Sequence, residues 1–325
     1  MRDIWSEILD KICRAGLNFD RLDSYIVIEG TLINETPLKI GKGAGGLGEV
    51  DIPVIRDERG IPYIPGSTLK GSLRSLAEKI AVYTLGRGEV CDVFTRPHEC
   101  GLKADVINKI YWCIVSSLNE EAIYRCLERR VGSDDALRVL LRRYHFEDGE
   151  IPEYLKLLKE GIREKRPELI SELTENRLRP CVICRIFGNQ ALSSHLIIYD
   201  SYPKDSSSIK LGSRTRVALD RFRSAALSGA LFTYQYVPPG YEWNFRIDIR
   251  NIDITRDGSE EAKVIKSILD YMVKLGINLG GMRSVGHGLV ILNPEKTVIR
   301  KYVVKDLEIT LDYEAKLSNL LRVVT

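Results

Sequence analysis

No stretch of this sequence stays apolar for the roughly 18 residues that a membrane-spanning helix requires. Residues 1–7 also lack the basic and then apolar order of a secretory signal. The sequence therefore predicts a soluble cytoplasmic chain with no membrane among its partners.

Excess charge is absent as well. Lysine and arginine total 48 against 45 aspartate and glutamate residues, so the formal net charge is only +3. This balance excludes the strongly basic proteins that attract nucleic acid through their whole surface. Any nucleic-acid site must be a local patch.

The number of cysteines is odd, so they cannot all pair in disulfides. The seven cysteines, in a chain without an export signal, indicate free thiols or metal ligands rather than a disulfide framework. On this interpretation Cys13, Cys113 and Cys126 are core or surface thiols.

The remaining cysteines have metal-ligand spacing. Cys181 and Cys184 form a CxxC pair, and Cys91, His98 and Cys100 form a second half-site upstream. Structural zinc takes four nitrogen or sulfur ligands, commonly as two close-spaced pairs that folding brings together. We expect Cys100, Cys181 and Cys184 to bind, with Cys91 and His98 competing for the fourth place. A redox role would need a thioredoxin-like context, which is absent.

Hydrophobic periodicity predicts helices and strands in one α+β unit. Residues 101–180 are rich in Leu, Glu, Arg and Lys and indicate a helical insertion. No internal repeat is visible. The other predicted elements are a helix over 3–15, a strand over 25–33, a helix with Ser67 or Thr68 as its N-cap, a strand over 196–199, a hairpin over 231–249 around Pro238-Pro239-Gly240, and a helix over 260–275 stopped by Gly276.

A first glycine-rich loop, residues 41–48, formally matches the dinucleotide-binding fingerprint. Pro53 and β-branched residues follow it where that fingerprint requires a helix, so this function is rejected. Asp51 follows the loop, and its carboxylate could bind a divalent ion or orient a ribose 2′-hydroxyl. The alternative is a solvated loop acid.

Two basic residues lie near the predicted start of the helix after Pro65. Lys70 and Arg74 are four residues apart and therefore project from the same side. With the positive end of the helix dipole and its N–H groups, they suit a phosphate. The alternative is a solvated basic face.

A second glycine loop spans residues 280–288. It carries Arg283, Ser284 and His287 among four glycines, two of which, Gly280 and Gly281, open the loop. Glycine lets backbone N–H groups approach a phosphate closely. The alternative is a tight turn between a helix and a strand.

Four segments together resemble a known family. Residues 51–74, with Asp-Ile-Pro-Val-Ile-Arg-Asp and Ile-Pro-Gly-Ser-Thr-Leu-Lys-Gly-Ser-Leu-Arg, resemble the RAMP superfamily, in particular the backbone subunit of type III CRISPR effector complexes. The segments 181–188, 216–221 and 280–288 agree in the family's order. The likeness covers most of the chain outside residues 101–180.

The resemblance implies a ferredoxin-like (RRM-type) core formed by residues 1–100 and 181–325. It implies a projecting β-hairpin thumb at about residues 203–250, which intercalates in RNA and displaces a base. Residues 101–180 would be a helical insertion within the same domain.

The resemblance also implies an RNA-binding set. Ser67, Lys70 and Arg74 would hold phosphates of a guide RNA (crRNA), and the second glycine loop would support the same strand. The implied RNA-binding residues are Ser67, Lys70, Arg74, Arg216, Arg221, Gly280, Gly281, Arg283, Ser284 and His287.

Finally, the resemblance implies that Asp51 cleaves a paired target RNA with Mg²⁺ or another divalent ion. The product would carry a cyclic phosphate, and zinc would be structural. Expected partners are crRNA, target RNA and other subunits of a type III CRISPR complex, including copies or paralogues of this chain. Two alternatives stay open: a non-catalytic crRNA-binding scaffold, and a metal-independent endoribonuclease that processes crRNA precursors with His287 as acid or base.

Overall fold

The computed structural model describes residues 4–12, 22–41, 52–91, 99–146, 151–207, 209–220, 222, 225–256 and 258–321. Helices within these residues are α1 (Ile4–Ile12), α2 (Gly66–Leu85), α3 (Glu99–Val115), α4 (Glu120–Leu127), α5 (Asp134–Arg143), α6 (Glu153–Arg163), α7 (Pro167–Asn176), α8 (Val182–Phe187), α9 (Glu260–Lys274) and α10 (Leu317–Leu321). Strands are β1 (Ser24–Asn34), β2 (Leu196–Ile198), β3 (Gly212–Asp220), β4 (Ala225–Tyr236), β5 (Glu242–Arg250), β6 (Ile277–Asn278), β7 (Leu289–Lys305) and β8 (Glu308–Lys316). Helices with antiparallel sheet confirm the α+β class.

The chain divides into two compact units. The helical unit comprises Met1–Asp23, Glu78–Leu196 and Arg250–Ile252. The sheet unit comprises Ser24–Ala77, Ile197–Ile249 and Asp253–Thr325. Residues 101–180 thus lie in a helical unit that contains more of the chain than the predicted insertion does.

The helical unit has its own apolar core. Side-chain caps mark two helix starts, since Asn119 accepts from the Ala122 N–H and Ser133 from the Ala136 N–H. The N-terminal helix α1 packs against α7 and α3, and Trp5 meets Tyr124 edge to face, 5.3 Å between ring centroids. The helical pattern over residues 101–180 is confirmed.

One cysteine prediction was wrong. Cys113 near the end of α3 and Cys126 in α4 form a disulfide, with their Cα atoms 5.5 Å apart. Their separation of 13 residues carries no pairing signal in the sequence. They meet because the turn after α3 brings α4 back beside it, so neither is a free thiol.

In the sheet unit, six strands form one sheet with the order β2-β5-β1-β7-β6, and β8 also pairs with β7. The central pair, β1 and β7, is antiparallel and places Ile28 opposite Ile299, both fully buried. Helix α9 packs against β7 and ends before Gly276, whose positive φ of 73° suits glycine.

The predicted hairpin over residues 231–249 was wrong. β4 pairs with β3 in a separate two-stranded sheet, whereas β5 lies in the large sheet. Pro238 and Pro239 lack the N–H donors that a strand ladder needs. Gly240 then takes a positive φ of 92°, so this segment transfers the chain from one sheet to the other.

A buried asparagine holds that transfer in place. Asn34 is fully buried and donates through Nδ2 to the Pro238 carbonyl at 2.8 Å. Its Oδ1 accepts from Trp243 Nε1 at 3.0 Å and from the Tyr241 N–H at 3.2 Å. These bonds satisfy the amide group and fix where β5 begins.

Helix α2 begins two or three residues earlier than predicted. Neither Ser67 nor Thr68 is the N-cap, because the helix starts at Gly66 and the Pro65 carbonyl already accepts from the Thr68 N–H. A Cβ at Gly66 would collide with the Ile198 carbonyl of β2. The close approach of helix and strand therefore requires glycine here.

Among the described residues, no helix is both long and apolar enough to cross a membrane.

Candidate functional site

The start of α2 presents two cations. Lys70 and Arg74 are both half-buried, and Ser67 is exposed. Burial, and secondly the charge of Arg74, lower the pKa of Lys70. Two cations four residues apart on one helix face repel each other, so an anion between them would be stabilising.

Three of the backbone N–H groups at this helix start are already engaged. The Gly66 N–H donates to Asp200 Oδ1 at 2.7 Å, and the Thr68 and Leu69 N–H groups donate to the Pro65 carbonyl. The side chains, rather than these three N–H groups, are left to contact a phosphate.

The second glycine loop connects β6 to β7, two antiparallel strands, rather than a helix to a strand. The Gly281 N–H donates to the Lys39 carbonyl at 2.9 Å, and the Gly288 N–H donates to the Pro37 carbonyl at 2.9 Å. Arg283 and Ser284 are exposed at the loop's outer side. The glycines therefore attach the loop to residues 37–39, and the exposed side chains face solvent.

Gly280 and Gly288 are the two residues of this loop that tolerate substitution least, and Gly280 illustrates why. Its φ is +73°, and a Cβ would collide with the Lys39 carbonyl oxygen. We expect Gly280→Ala to destabilise the chain by about 3 kcal/mol. In the matched control Gly286→Ala, φ is +83° but nothing lies within 4 Å of the added Cβ, so a loss of about 1 kcal/mol is expected. Denaturant unfolding measures both, and equal losses would contradict the close contact at Gly280.

A basic–aromatic cluster lies between this loop and the β3–β4 hairpin. We define it as Lys39, Arg214, Arg216, Tyr234, Tyr236 and His287. Tyr234 is fully buried, and its hydroxyl is 3.1 Å from His287 Nε2. Lys39 Nζ lies 4.6 Å from the centroid of the same ring, and the Arg216 guanidinium 5.7 Å.

Burial and positive charge set the electrostatics of the cluster. Burial, with a smaller contribution from Arg216, lowers the pKa of Lys39. Burial likewise lowers the pKa of His287, and the charges of Arg214, Arg216 and Lys39 lower it further. The imidazole is therefore neutral at pH 7, and the net charge of the cluster is carried by its other cations.

The β3–β4 hairpin adds an aromatic row to this basic surface. Phe232, Tyr234 and Tyr236 alternate along β4 with ring centroids 6.2 and 6.3 Å apart. The Arg214 guanidinium lies 5.2 Å from the Tyr236 ring. Phe222, in the turn of the hairpin, is fully exposed. Arg221, the other predicted residue of this segment, lies outside the described residues.

Asp51 also lies outside the described residues, but the chain directly after it is fixed. The Ile52 N–H donates to the Thr233 carbonyl at 3.3 Å, and the Gln235 N–H donates to the Ile52 carbonyl at 3.1 Å. These bonds attach Ile52 beside Tyr234 on β4. Ile52, the first described residue after Asp51, therefore lies beside the basic–aromatic cluster.

A separate cluster in the helical unit can hold a metal ion. The sulfur atoms of Cys91, Cys100, Cys181 and Cys184 all lie within 4.8 Å of one another. Cys100 and Cys184 are buried, and the other two are half-buried. The structure thus brings together four of the five predicted ligands, and His98 lies outside the described residues.

The donor set fits zinc. Cys91 Sγ is 3.4 Å from Cys184 Sγ and 3.5 Å from Cys181 Sγ, near the roughly 3.8 Å edge of a tetrahedron with zinc–sulfur bonds of about 2.3 Å. Hydrogen bonds within the cluster, led by that from Cys100, hold the pKa of Cys181 far below its ordinary value. The contact with Cys181, with those to Cys184 and Cys91, raises the pKa of Cys100, so the four sulfurs do not all lose their protons unaided. A divalent cation would stabilise the fully deprotonated set.

Sequence reasoning missed four members of the basic–aromatic cluster, namely Lys39, Arg214, Tyr234 and Tyr236. Lys39 is a single lysine in an apolar stretch, and Tyr234 and Tyr236 alternate in a strand as core residues do. The sequence did contain a signal. Tyr234 and Tyr236 alternate with Gln235, and Arg214 and Arg216 alternate in the same way with Thr215 in the preceding strand. It was hidden because the strand of Tyr234 was predicted to pair with β5 instead of β3.

The model of one protein family, described as the RAMP superfamily, matches residues 31–291 of this chain. The match includes the end of β1, the start of α2, the β3–β4 hairpin and the second glycine loop.

Three curated relatives are each named CRISPR system Cms endoribonuclease Csm3. The protein of Methanocaldococcus jannaschii is 42% identical over 84 residues, 25% of this chain and 32% of the relative. That of Mycobacterium tuberculosis is 48% identical over 61 residues, 17% of this chain and 26% of the relative. That of Methanothermobacter thermautotrophicus is 37% identical over 84 residues, 23% of this chain and 34% of the relative. The chain thus spans about a third or less of each relative's length.

Among solved structures, similarity extends to a chain in the cryo-EM structure of the type III-B Cmr-beta bound to cognate target RNA. The alignment covers 90% of this chain and 62% of that chain, with 14% identity and a TM-score of 0.41.

Proposed function

Since this chain belongs to the RAMP superfamily, we propose that it is a backbone subunit of a type III CRISPR complex that binds crRNA through its sugar-phosphate backbone. The sheet unit would be the ferredoxin-like core and the β3–β4 hairpin the thumb. The names of the curated relatives support this assignment.

One observation carries the proposal: the cations of the sheet unit form two groups. Arg246, Arg300 and Lys301 each pair with carboxylates. In contrast, Lys39 and Lys70, like the hairpin arginines 214 and 216, form no ion pair with any residue that the structure describes. Positive charge without acidic partners is what contacts to RNA phosphates require.

The proposed contacts follow from position and exposure. Lys70 and Arg74, with Ser67, hold guide phosphates at the start of α2. Arg283 and Ser284 contact the same guide RNA strand from the exposed side of the second glycine loop. The exposed ring of Phe222 suits intercalation between bases, because aromatic rings stack on any base.

We further propose that the subunit cleaves paired target RNA, with Asp51 as the essential carboxylate and Mg²⁺ or another divalent ion as cofactor. Such an ion supplies charge stabilisation at the phosphate. The alternative, precursor processing by His287, needs an imidazole that reaches RNA. The His287 side chain is only 2% exposed, which favours the metal-dependent reaction.

Zinc is proposed as the structural metal of the four-cysteine cluster. Cys91 and Cys100 lie before residues 101–180, and Cys181 and Cys184 after them. The metal would therefore tie together the two ends of the helical region.

The RNA-binding proposal is tested on Lys70→Ala, with Lys79→Ala as the matched control. Nine residues separate these lysines, so at about 100° per residue they project from opposite sides of α2. We expect Lys70→Ala to weaken crRNA binding about tenfold and to reduce the slope of log affinity against log salt by about one. Filter binding of the full chain to two guides of unrelated sequence measures both effects.

The two guides should respond equally, because phosphate contacts carry no base information. Lys79→Ala should bind as the wild type does. If Lys70→Ala bound both guides with unchanged affinity and salt slope, α2 would not be a phosphate site.

A further inference from the structure

Trp112 is the most exposed of the three tryptophans in the sequence. It lies in α3 of the helical unit and is 51% exposed, whereas Trp5 and Trp243 are 4% and 1% exposed. Val115, one turn further along the same side of α3, is 48% exposed. An indole ring buries a large apolar area when a ligand covers it. Trp112 and Val115 therefore offer an apolar surface to a ligand.

Two adjacent arginines accompany this surface. The Arg130 guanidinium lies 5.9 Å from the centroid of the Trp112 ring, and Arg129 is exposed. Neither arginine forms an ion pair with any residue that the structure describes. Arg143 of the same unit, in contrast, pairs with Asp105 at 3.2 Å. Two guanidinium groups without acidic partners attract an anion.

The arginines lie in an unusual turn of the backbone. Glu128–Gly132 form a single π-helical turn directly after α4, and the Ser133 N–H donates across it to the Glu128 carbonyl at 2.9 Å. Turns of this kind are rare, and many of those that occur lie at functional sites. The turn packs against α3, which brings Arg130 to the ring of Trp112.

A covalent link holds the turn in place. Cys113 follows Trp112 in α3, and its disulfide partner Cys126 lies four residues before Arg130. The Nε atom of Arg130 is enclosed and makes no hydrogen bond to a described residue. Its Nη groups are not enclosed in this way and can donate to a ligand. The ring and the guanidinium group are therefore in position before a ligand binds.

These features match an unpaired nucleotide. An aromatic ring stacks on any base, a guanidinium group adds a cation–π contact, and arginine donates to phosphate oxygens. We propose that Trp112, Arg129 and Arg130 bind single-stranded RNA, with one base stacked on the Trp112 ring and the adjacent phosphates held by the two arginines. This site belongs to the helical unit and is additional to the proposed crRNA site of the sheet unit.

An acidic protein segment is the other class of ligand that tryptophan and arginine attract. The size of the feature favours RNA. One ring, one valine and two guanidinium groups match one or two nucleotides, whereas a stable protein interface covers about 800 Å² on each partner. The absence of acidic partners among the described residues also suits a ligand that carries one negative charge per nucleotide.

Tryptophan fluorescence of the full chain reports on this site. Because Trp5 and Trp243 are buried, the long-wavelength emission comes from Trp112, and a base stacked on the indole quenches it. We expect a short oligouridylate to quench this emission, and Trp112→Phe to lack both the emission and the quenching. A blunt RNA duplex at the same phosphate concentration should quench far less, because its bases are paired and stacked on one another.

The arginines are tested by titrating the same fluorescence signal. We expect Arg129→Ala and Arg130→Ala each to weaken oligouridylate binding about three- to tenfold and to reduce the slope of log affinity against log salt by about 0.7. The matched control Arg177→Ala removes an exposed arginine after α7 of the same unit and should leave the titration unchanged. Unfolding curves confirm that each variant is folded.

The outcome is independent of the crRNA proposal, because quenching of Trp112 should persist in Lys70→Ala. Emission that oligouridylate leaves unchanged would overturn the RNA site, and so would equal quenching by the duplex. If the emission instead shifts to shorter wavelength when the complex assembles, and oligouridylate does not quench it, the surface is a protein contact and the RNA assignment is wrong.

Discussion

Replacing Asp51 with asparagine is expected to reduce cleavage of paired target RNA by about 1,000-fold or more, while crRNA and target RNA bind with wild-type affinity. Asparagine keeps the size of the side chain and removes its charge. A divalent ion loses a negatively charged oxygen ligand, and a 2′-hydroxyl loses the group that would orient it or take its proton. RNA phosphates repel a carboxylate, so loss of Asp51 should not weaken binding.

The measurement is single-turnover cleavage in the reconstituted complex, with fragments mapped to the position opposite this subunit. Glu58→Gln is the matched control, since it removes a neighbouring acidic charge at an exposed turn and should cleave at the wild-type rate. Cutting by the asparagine variant at the wild-type rate would remove Asp51 from the mechanism. A wild-type complex that binds target RNA and leaves it uncut at this position would instead indicate the non-catalytic scaffold.

Local elements of the fold could be predicted from the sequence because their signals are local. The helical spacing of Ile4, Ile8 and Ile12 predicts a helix, and the structure contains it as α1. The apolar residues of 25–33 form β1, as predicted. Gly276 ends α9 because a positive φ there excludes most other residues. Each of these features depends on chain neighbours only.

Pairing between distant segments could not be predicted in the same way. A Pro-Pro-Gly turn between two apolar runs is compatible with a hairpin, yet β4 pairs with β3 because the buried Asn34 and the bridge from Leu38 to Val237 hold the transfer between sheets. The contact of Lys39 with Tyr234 depends on this pairing, so it was missed too. Cys113 and Cys126 meet only after two helices pack together.

The four-cysteine cluster could be predicted only in part. The sequence shows which residues are able to bind a metal, but it does not show which of them folding brings together. A CxxC pair keeps its spacing in any fold, which made Cys181 and Cys184 predictable. Cys100 was also expected from the sequence, whereas Cys91 could be placed beside the other three only after folding, when the start of α3 lies beside α8.

Replacing Cys184, a proposed zinc ligand, is expected to have the largest effect on stability. Cys184 is 1% exposed and lies in α8 among the other three sulfurs. The free energy of binding structural zinc is also folding free energy for the segments that it joins. We expect Cys184→Ser to reduce bound zinc from about one ion per chain to none, and to destabilise the helical unit by on the order of 5 kcal/mol.

Metal analysis and hydrogen exchange of the full chain test this expectation together. Exchange should rise in α8 and at the start of α3, whereas the strands β1 and β7 should stay protected, because they belong to the other unit. The double variant Cys113→Ser with Cys126→Ser removes two cysteines that form a disulfide and should keep its zinc. A Cys184→Ser chain with one zinc ion and unchanged exchange would exclude the cluster as a structural metal site. Chelation of the wild-type chain should reproduce the exchange pattern of Cys184→Ser, because both treatments break the same link between α3 and α8.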